Sequence, residues 1–305
     1  MEQQLDTLQI NFSPENLWIL NIALAFVMYG IALEISLSDF KRLWIAPRPI
    51  FTGLLSQFLL LPALTFILVL LIRPEPGIAL GMFLVAACPG GNVSNFMTYL
   101  AGGNNALFVS LTALATLLAV MMTPFNLQFW GSLYGPTEEI LEQVAVAPAE
   151  MVKLVLLLLA IPLVLGMLTR HYYPRLANVL AKKLKWTSLL FFLLLILLAL
   201  YDNSQLLVSR LQSVFWIVLL HNALALSAGY TIATLMKLDG QDRRTLAIET
   251  GIQNSGLGLL LIFTFFEQLG TMALLTAVWG IWHLVSGLAI SGYWSSRPLT
   301  KNIPG

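Results

Sequence analysis

Residues 247–256 read Ala-Ile-Glu-Thr-Gly-Ile-Gln-Asn-Ser-Gly, which places a carboxylate, an amide pair and two glycines inside a stretch otherwise fit for a membrane-buried helix. At the centre of a bilayer Glu249 costs about 2.5 kcal/mol or more, so it must face a cavity or a cation rather than lipid. Residues 88–95, Cys-Pro-Gly-Gly-Asn-Val-Ser-Asn, interrupt an earlier apolar run in the same way. Such breaks free carbonyls that can coordinate a cation, and the N-terminus of the next half-helix favours an anion. Gln253, Asn254 and Ser255 add side-chain donors and acceptors to the second break. If the broken helices cross, Glu249 lies beside Ser94 and Asn95. One carboxylate among neutral oxygens is a hard-cation site, suited to Na⁺ or H⁺. Polar interruptions at corresponding points of two halves mark the binding site of a secondary transporter.

The composition fixes the setting of these breaks. Of 305 residues, 58% are apolar and 10% charged, where soluble domains carry about a quarter charged; the mean hydropathy is +0.82. The expected class is an all-α polytopic membrane protein. Net charge is +1 and the basic residues are dispersed among short loops, which excludes nucleic acid as a partner. Cys88 is the single cysteine and forms no internal disulfide. The first fifteen residues are polar and acidic, without a basic n-region, so no cleaved signal peptide is expected and the first helix inserts itself.

Apolar runs long enough to span, about 20 residues each, fall near 17–38, 48–72, 77–101, 105–125, 148–169, 186–202, 211–236, 241–267 and 270–295, nine spans in all. Thirteen of the sixteen Lys and Arg lie in the loops at 41–48, 170–185 and 237–244 and in the tail. The positive-inside rule makes those cytoplasmic and places the N-terminus outside and the C-terminus inside. The segment 126–147, with Glu138, Glu139, Glu142 and no base, is then an outer loop. Trp18, Trp44, Trp130, Trp186 and Trp294 fall near span ends, as an interfacial belt requires. Lys153 snorkels outward, and Glu34 reaches the cytoplasmic interface. From residue type alone, His221 and His283 read as hydrogen-bonded core histidines.

Both halves follow one rhythm: a span, a longer span, a broken helix, another long span. The pairs are 17–38 with 186–202, 48–72 with 211–236, 77–101 with 241–267 and 105–125 with 270–295, leaving 148–169 unpaired. Paired elements are offset by five helices, an odd number, so the second copy enters from the opposite side: an inverted-topology repeat, which supplies two related conformations and hence alternating access.

The stretches CPGGNVSNFMTYLAGGNNAL (88–107) and IETGIQNSGL (248–257), with LSDF (37–40), SQFLLLP (56–62), LHN (220–222) and WHLVSG (282–287) in order, resemble the bile acid:sodium symporter family. The resemblance implies two crossed discontinuous helices in a core domain, roughly 48–125 and 211–295. It also implies a panel domain, roughly 17–38 and 148–202, with substrate moving in the crevice between them. By position it assigns one sodium site to Ser94, Asn95, Thr112 and Glu249 with a hydroxyl at position 108, where this chain has Phe108 and so loses one oxygen. It assigns a second, intact in residue type, to Gln57, Glu249, Gln253 and the carbonyls of Thr250 and Ile252. Substrate contacts fall on Asn92, Asn254 and His283; Asn92 stands where threonine is usual, and Leu284 where a relative can carry Asn. The implied cargo is an organic anion, from bile salts to small carboxylates, with small carboxylate placed ahead. Membrane lipid is the expected surrounding, no obligate protein partner is evident, and the cell (inner) membrane is the expected location.

Three other readings use the same residues. A proton-coupled carrier or cation/proton exchanger would use Glu249 as the proton-binding group, though no Asp pair or buried Lys accompanies it. An intramembrane enzyme would need Cys88 with His283 or His221, and nothing in the sequence orders that pair. A transport-dead binding protein would follow from Phe108 blocking the cation site.

Overall fold

The computed structural model describes residues 42–91, 93–143, 156–184, 204–266 and 269–297, together with scattered positions between 22 and 36 and at 153, 187 and 299. The described residues are helical nearly throughout, as the composition requires. We number ten helices: α1 (Pro47–Ile72), α2 (Pro76–Ala87), α3 (Ser94–Leu100), α4 (Asn105–Ser132), α5 (Gly135–Gln143), α6 (Ile161–Tyr172), α7 (Ser204–Leu235), α8 (Gly240–Gly251), α9 (Ser255–Phe265) and α10 (Gly270–Ser295). Four of them, α1, α4, α10 and the Leu211–Leu235 part of α7, are long and apolar enough to cross a membrane.

The run 77–101 is two helices, α2 and α3, and the run 241–267 is α8 and α9. Each half of the described chain is therefore a long helix, a broken helix and a second long helix. Proline sets the first break: Cys88, the residue before Pro89, is driven to extended backbone (φ −70°, ψ 152°) and ends α2. The second break ends α8 at Ile252 (φ −113°, ψ 92°), and Asn254 starts α9 by accepting a hydrogen bond at Oδ1 from the amide of Leu257 (3.0 Å). Asn104 starts α4 in the same manner through the amide of Leu107 (3.0 Å).

α1 contains a π turn at Ser56–Leu60, immediately before Pro62. A proline there lacks an N–H and crowds the carbonyl four residues earlier, and one wider turn relieves both. A second π turn, Leu156–Ala160, precedes Pro162 in the same arrangement.

The apolar core lies around α2, α9 and α10. Eleven residues of α2 are buried, the mark of a helix apolar on every side and enclosed by others. Trp279, Phe83, Phe263 and Phe266 are the largest enclosed side chains. The outward residues Leu59, Ile67, Leu70 and Leu71 of α1 face the surroundings, as a lipid-facing surface demands. Gly229 lets α7 ride directly on the backbone of α8, since a Cβ there would strike Leu246 and Ala247.

Two expectations are corrected. Of the segment 126–147, the described residues 126–143 are not a loop: α4 continues through the aromatic-rich Phe125–Trp130 stretch to Ser132, and α5 starts at Gly135 with Pro136 in its first turn, a position where a missing N–H costs nothing. Arg244 is not a solvated loop base. It is 6% exposed, and its guanidinium donates to the carbonyls of Ala101 (2.7 Å), Trp294 (3.2 Å) and Arg297 (2.7 Å). Ala101 and Trp294 lie at the C-terminal ends of α3 and α10, so one cation satisfies orphan carbonyls of two helices. Trp294, expected as an interfacial anchor, carries Arg244 over its ring (5.7 Å) and stacks on Tyr230 (5.9 Å). Trp44 is 89% exposed, as an anchor should be. The spans expected at 17–38 and 186–202, with Trp18 and Trp186, lie largely or wholly outside the described residues.

Arg244→Gln should destabilise the fold by about 3 kcal/mol, because buried carbonyls lose charge-assisted donors. Arg244→Lys should recover only part of this, since an ammonium cannot reproduce the planar fork. Thermal unfolding of the detergent-solubilised variants measures both.

Candidate functional site

The two breaks lie against each other. Gly90 and Gln253 form an isolated antiparallel bridge; the amide of Gly91 donates to the carbonyl of Ile252 (2.7 Å), and the amide of Asn254 to that of Pro89 (2.8 Å). Each interrupted helix thus satisfies the other, in a region where unpaired backbone groups cost several kcal/mol. Side chains supply the remaining donors. Gln57 Nε2 reaches the Cys88 carbonyl (2.6 Å), Gln253 Nε2 that of Thr250 (2.6 Å), and Asn222 Nδ2 that of Gly251 (2.7 Å). Ser94 Oγ donates to the Gly91 carbonyl. Asn222 is itself held by the Ser286 hydroxyl (2.5 Å).

Glu249 sits at this crossing, 1% exposed. The Thr112 hydroxyl on α4 lies 2.9 and 3.0 Å from its two oxygens. Gly90 presses so closely on the carboxylate that a Cβ would overlap it. Among the described residues no Lys, Arg or His pairs with Glu249 and no three His, Cys, Asp or Glu converge. A buried carboxylate with a single hydroxyl partner requires a positive species from outside the chain's own side chains.

Gln57, carried by the π turn of α1, lies beside Gln253: their amides exchange hydrogen bonds of 2.9 and 3.2 Å. Thr250 is anchored through its hydroxyl to Ser56 (2.9 Å). The carbonyls of Thr250 and Ile252 each accept one hydrogen bond already, and a carbonyl oxygen keeps a second lone pair. Gln57, Glu249, Thr250, Ile252 and Gln253 therefore gather at one crossing, all at most 1% exposed.

The other expected set is split between the crossing and a crevice of about 340 Å³. Asn95, Thr112 and Phe108 line that crevice, and Phe108, 3% exposed, brings a phenyl face where an oxygen was expected. Ser94 is buried and its hydroxyl hydrogen is committed to Gly91, leaving the oxygen lone pairs. The lining is completed by Leu33, Glu34 and Ile35 and by Arg170, Asn178, Ala181 and Lys182. Glu34, expected only to reach the interface, is thus a crevice residue.

Of the expected substrate contacts, Asn92 lies outside the described residues. Asn254 spends its oxygen on the α9 cap and keeps its NH₂ group. His283 is buried on α10, its Nδ1 without a partner among the described residues, and it does not line the crevice. His221 is a core histidine as expected, hydrogen-bonded to Thr65 (2.7 Å) and edge-on to Trp279 (4.6 Å). Sequence reasoning passed over Asn222 and Ser56, which hold the second break in place. Their signals were a polar side chain in an apolar run and a place in the short motifs SQFLLLP and LHN.

Two broken helices that meet at a buried carboxylate are the arrangement on which secondary transporters build their binding sites. Residues 21–210 match the Sodium Bile acid symporter family. The chain is 30% identical to the uncharacterized sodium-dependent transporter YocS of Bacillus subtilis, over 92% of this chain and 84% of that protein. It is 32% identical to the probable chloroplastic sodium/metabolite cotransporter BASS1 of Oryza sativa, over 93% of this chain and 69% of that one. It is 28% identical to the human ileal sodium/bile acid cotransporter, over 90% and 78%. The chain belongs to the sodium bile acid symporter family.

Gly90→Ala should displace the Glu249 carboxylate from Thr112 while leaving the fold intact. The concentration of Na⁺ giving half-maximal thermal stabilisation should rise at least about tenfold, as expected when a buried charged contact worth over ~1.4 kcal/mol is lost. Titration of the variant against wild type checks this.

Proposed function

We propose that this chain is a sodium-coupled symporter that imports an organic anion. The observation that carries the proposal is Glu249, buried at the crossing with only the Thr112 hydroxyl as hydrogen-bond partner among the described residues. Five oxygens or more can meet there: the Glu249 carboxylate, the Gln57 and Gln253 side-chain oxygens, and the free lone pairs of the Thr250 and Ile252 carbonyls. All are hard, neutral or singly anionic ligands, the chemistry that Na⁺ takes and that soft metals do not. The relatives' names speak of sodium-dependent transport, sodium/metabolite cotransport and sodium/bile acid cotransport, which supports the same coupling here.

On this reading Na⁺ binds between Gln57, Glu249, Thr250, Ile252 and Gln253. The second set, Ser94, Asn95, Thr112 and Glu249, lacks a ligand at Phe108 and leaves the chain with one principal sodium site. The anion enters between a core domain (48–125 and 211–295) and a panel domain (17–38 and 148–202), with Asn92, Asn254 and His283 as its core contacts. Na⁺ neutralises Glu249 and so removes the repulsion an approaching carboxylate would otherwise meet. Nine spans in an inverted repeat, N-terminus out and C-terminus cytoplasmic in the cell membrane, would let core move against panel and expose the crossing alternately to the two sides. The paired triads α1 to α4 and α7 to α10 support that symmetry.

The test is uptake into proteoliposomes under a Na⁺ gradient. Glu249→Gln and Gln57→Ala should abolish sodium-driven uptake, whereas Phe108→Ser should strengthen sodium dependence by restoring an oxygen. Unchanged sodium dependence in Glu249→Gln would overturn the site. Uptake driven equally by a pH gradient without Na⁺ would transfer Glu249 to proton coupling.

A further inference from the structure

The crevice that Phe108 lines carries two cations against one carboxylate. Arg170, in the last turn of α6, and Lys182, in the helical stretch 174–184, line it with Glu34. Asn178 lines the same crevice, and its Oδ1 accepts a hydrogen bond from the Arg170 guanidinium, which fixes the orientation of that planar group. The rest of the lining includes Asn95, Thr112 and the apolar Phe108 and Val109. A basic rim above an apolar and amide floor complements an anion with a short apolar body. At about 340 Å³ the crevice lies at the small end of the roughly 300–1,000 Å³ that small-molecule sites span.

A plainer account would give Arg170 to the C-terminal dipole of α6 and Lys182 to anionic lipid headgroups. Two details argue against it. The cations come from separate helices yet share one crevice, Arg170 half-buried there, and their basic, exposed neighbours Arg175 and Lys183 do not line it.

We infer that Arg170 and Lys182 form the substrate-selecting rim of the crevice and recognise the carboxylate of a small organic anion, with Asn178 as a positioning residue for Arg170. This rests on the proposed function, that the chain carries an organic anion. Arg170 can take a carboxylate through two parallel N–H donors, and Lys182 adds a point charge that raises the local anion concentration. The carboxylate is thereby met away from Glu249, which spares the two negative groups a direct approach.

The experiment uses the full chain in nanodiscs of phosphatidylcholine alone and of phosphatidylcholine with phosphatidylglycerol. Thermal transitions are followed in Na⁺ with pyruvate, with neutral pyruvamide and with taurocholate. Wild type should respond to pyruvate at lower concentration than to taurocholate and not to pyruvamide. In the double variant Arg170→Gln with Lys182→Gln the pyruvate half-point should rise about tenfold or more, the loss of a charge-assisted contact. The pair Arg175→Gln with Lys183→Gln should match wild type, and the Na⁺ half-point should be unchanged in every variant. Wild-type pyruvate affinity in the Arg170/Lys182 variant, an equal loss in the Arg175/Lys183 pair, a loss confined to phosphatidylglycerol discs, or a preference for taurocholate would each overturn the inference. A wild type that answers Na⁺ but no carboxylate would overturn it too and leave sodium binding standing; one that answers neither would overturn the parent function.

Discussion

Two apolar runs of this protein are interrupted where they are buried among other helices, and a stopped helix leaves backbone N–H and C=O groups where no water can reach them. Everything else at the site follows from how those groups are satisfied. The breaks at 88–93 and 252–254 pair with each other through Gly91 to Ile252 and Asn254 to Pro89. Long side chains from flanking helices close the remaining gaps. Gln57 from α1 and Asn222 from α7 reach across to the carbonyls of Cys88 and Gly251. The crossing is thus fixed by hydrogen bonds from four separate helices and is irregular only where it is enclosed by protein.

That solution has a geometric cost which the sequence meets with small residues. Two backbones can approach to hydrogen-bonding distance only if one lacks a side chain at the contact. Gly90 serves this purpose and brings the Glu249 carboxylate directly against the bridge. The carboxylate is then enclosed with one hydroxyl and a ring of neutral oxygens. Burial makes it demanding, and neutral oxygens around a carboxylate are the ligand chemistry that suits a hard cation. The same packing that satisfies the backbone therefore creates the enclosure in which we propose that the cation binds. Arg244 supports it from a distance by tying the ends of α3 and α10 to α8, so that both breaks are carried on helices locked at their termini.

Much of this could be read from residue types. Glu249 in an apolar run, the Pro-Gly-Gly of one break and the Gly-Ile-Gln-Asn-Ser-Gly of the other located the crossing, because hydrocarbon tolerates such residues only at a function. Long apolar runs located α1, α4, α7 and α10, since spanning length is a strong constraint. Partnerships were less accessible. Nothing in the spacing says that Arg244, in a stretch of loop-like polarity, turns inward to three carbonyls, or that Asn222 reaches Gly251. Such contacts depend on how distant helices approach. The extension of α4 to Ser132 was hidden because aromatic residues and glycine near a span end resemble an interface as readily as a helix. Glu34 reads as an interfacial residue for the same reason, and only the convergence of residues 33–35 with Arg170, Asn178, Ala181 and Lys182 reveals the crevice.

The central claim is that the crossing of the two breaks is a site for Na⁺. The most direct measurement is the thermal transition of the purified, detergent-solubilised chain in NaCl and in KCl at equal ionic strength, since a ligand of the folded state raises the transition according to its concentration and affinity. The account predicts a rise specific to Na⁺ that saturates with concentration and grows further when an organic carboxylate is added. Equal transitions in Na⁺ and K⁺ across the titration would contradict it.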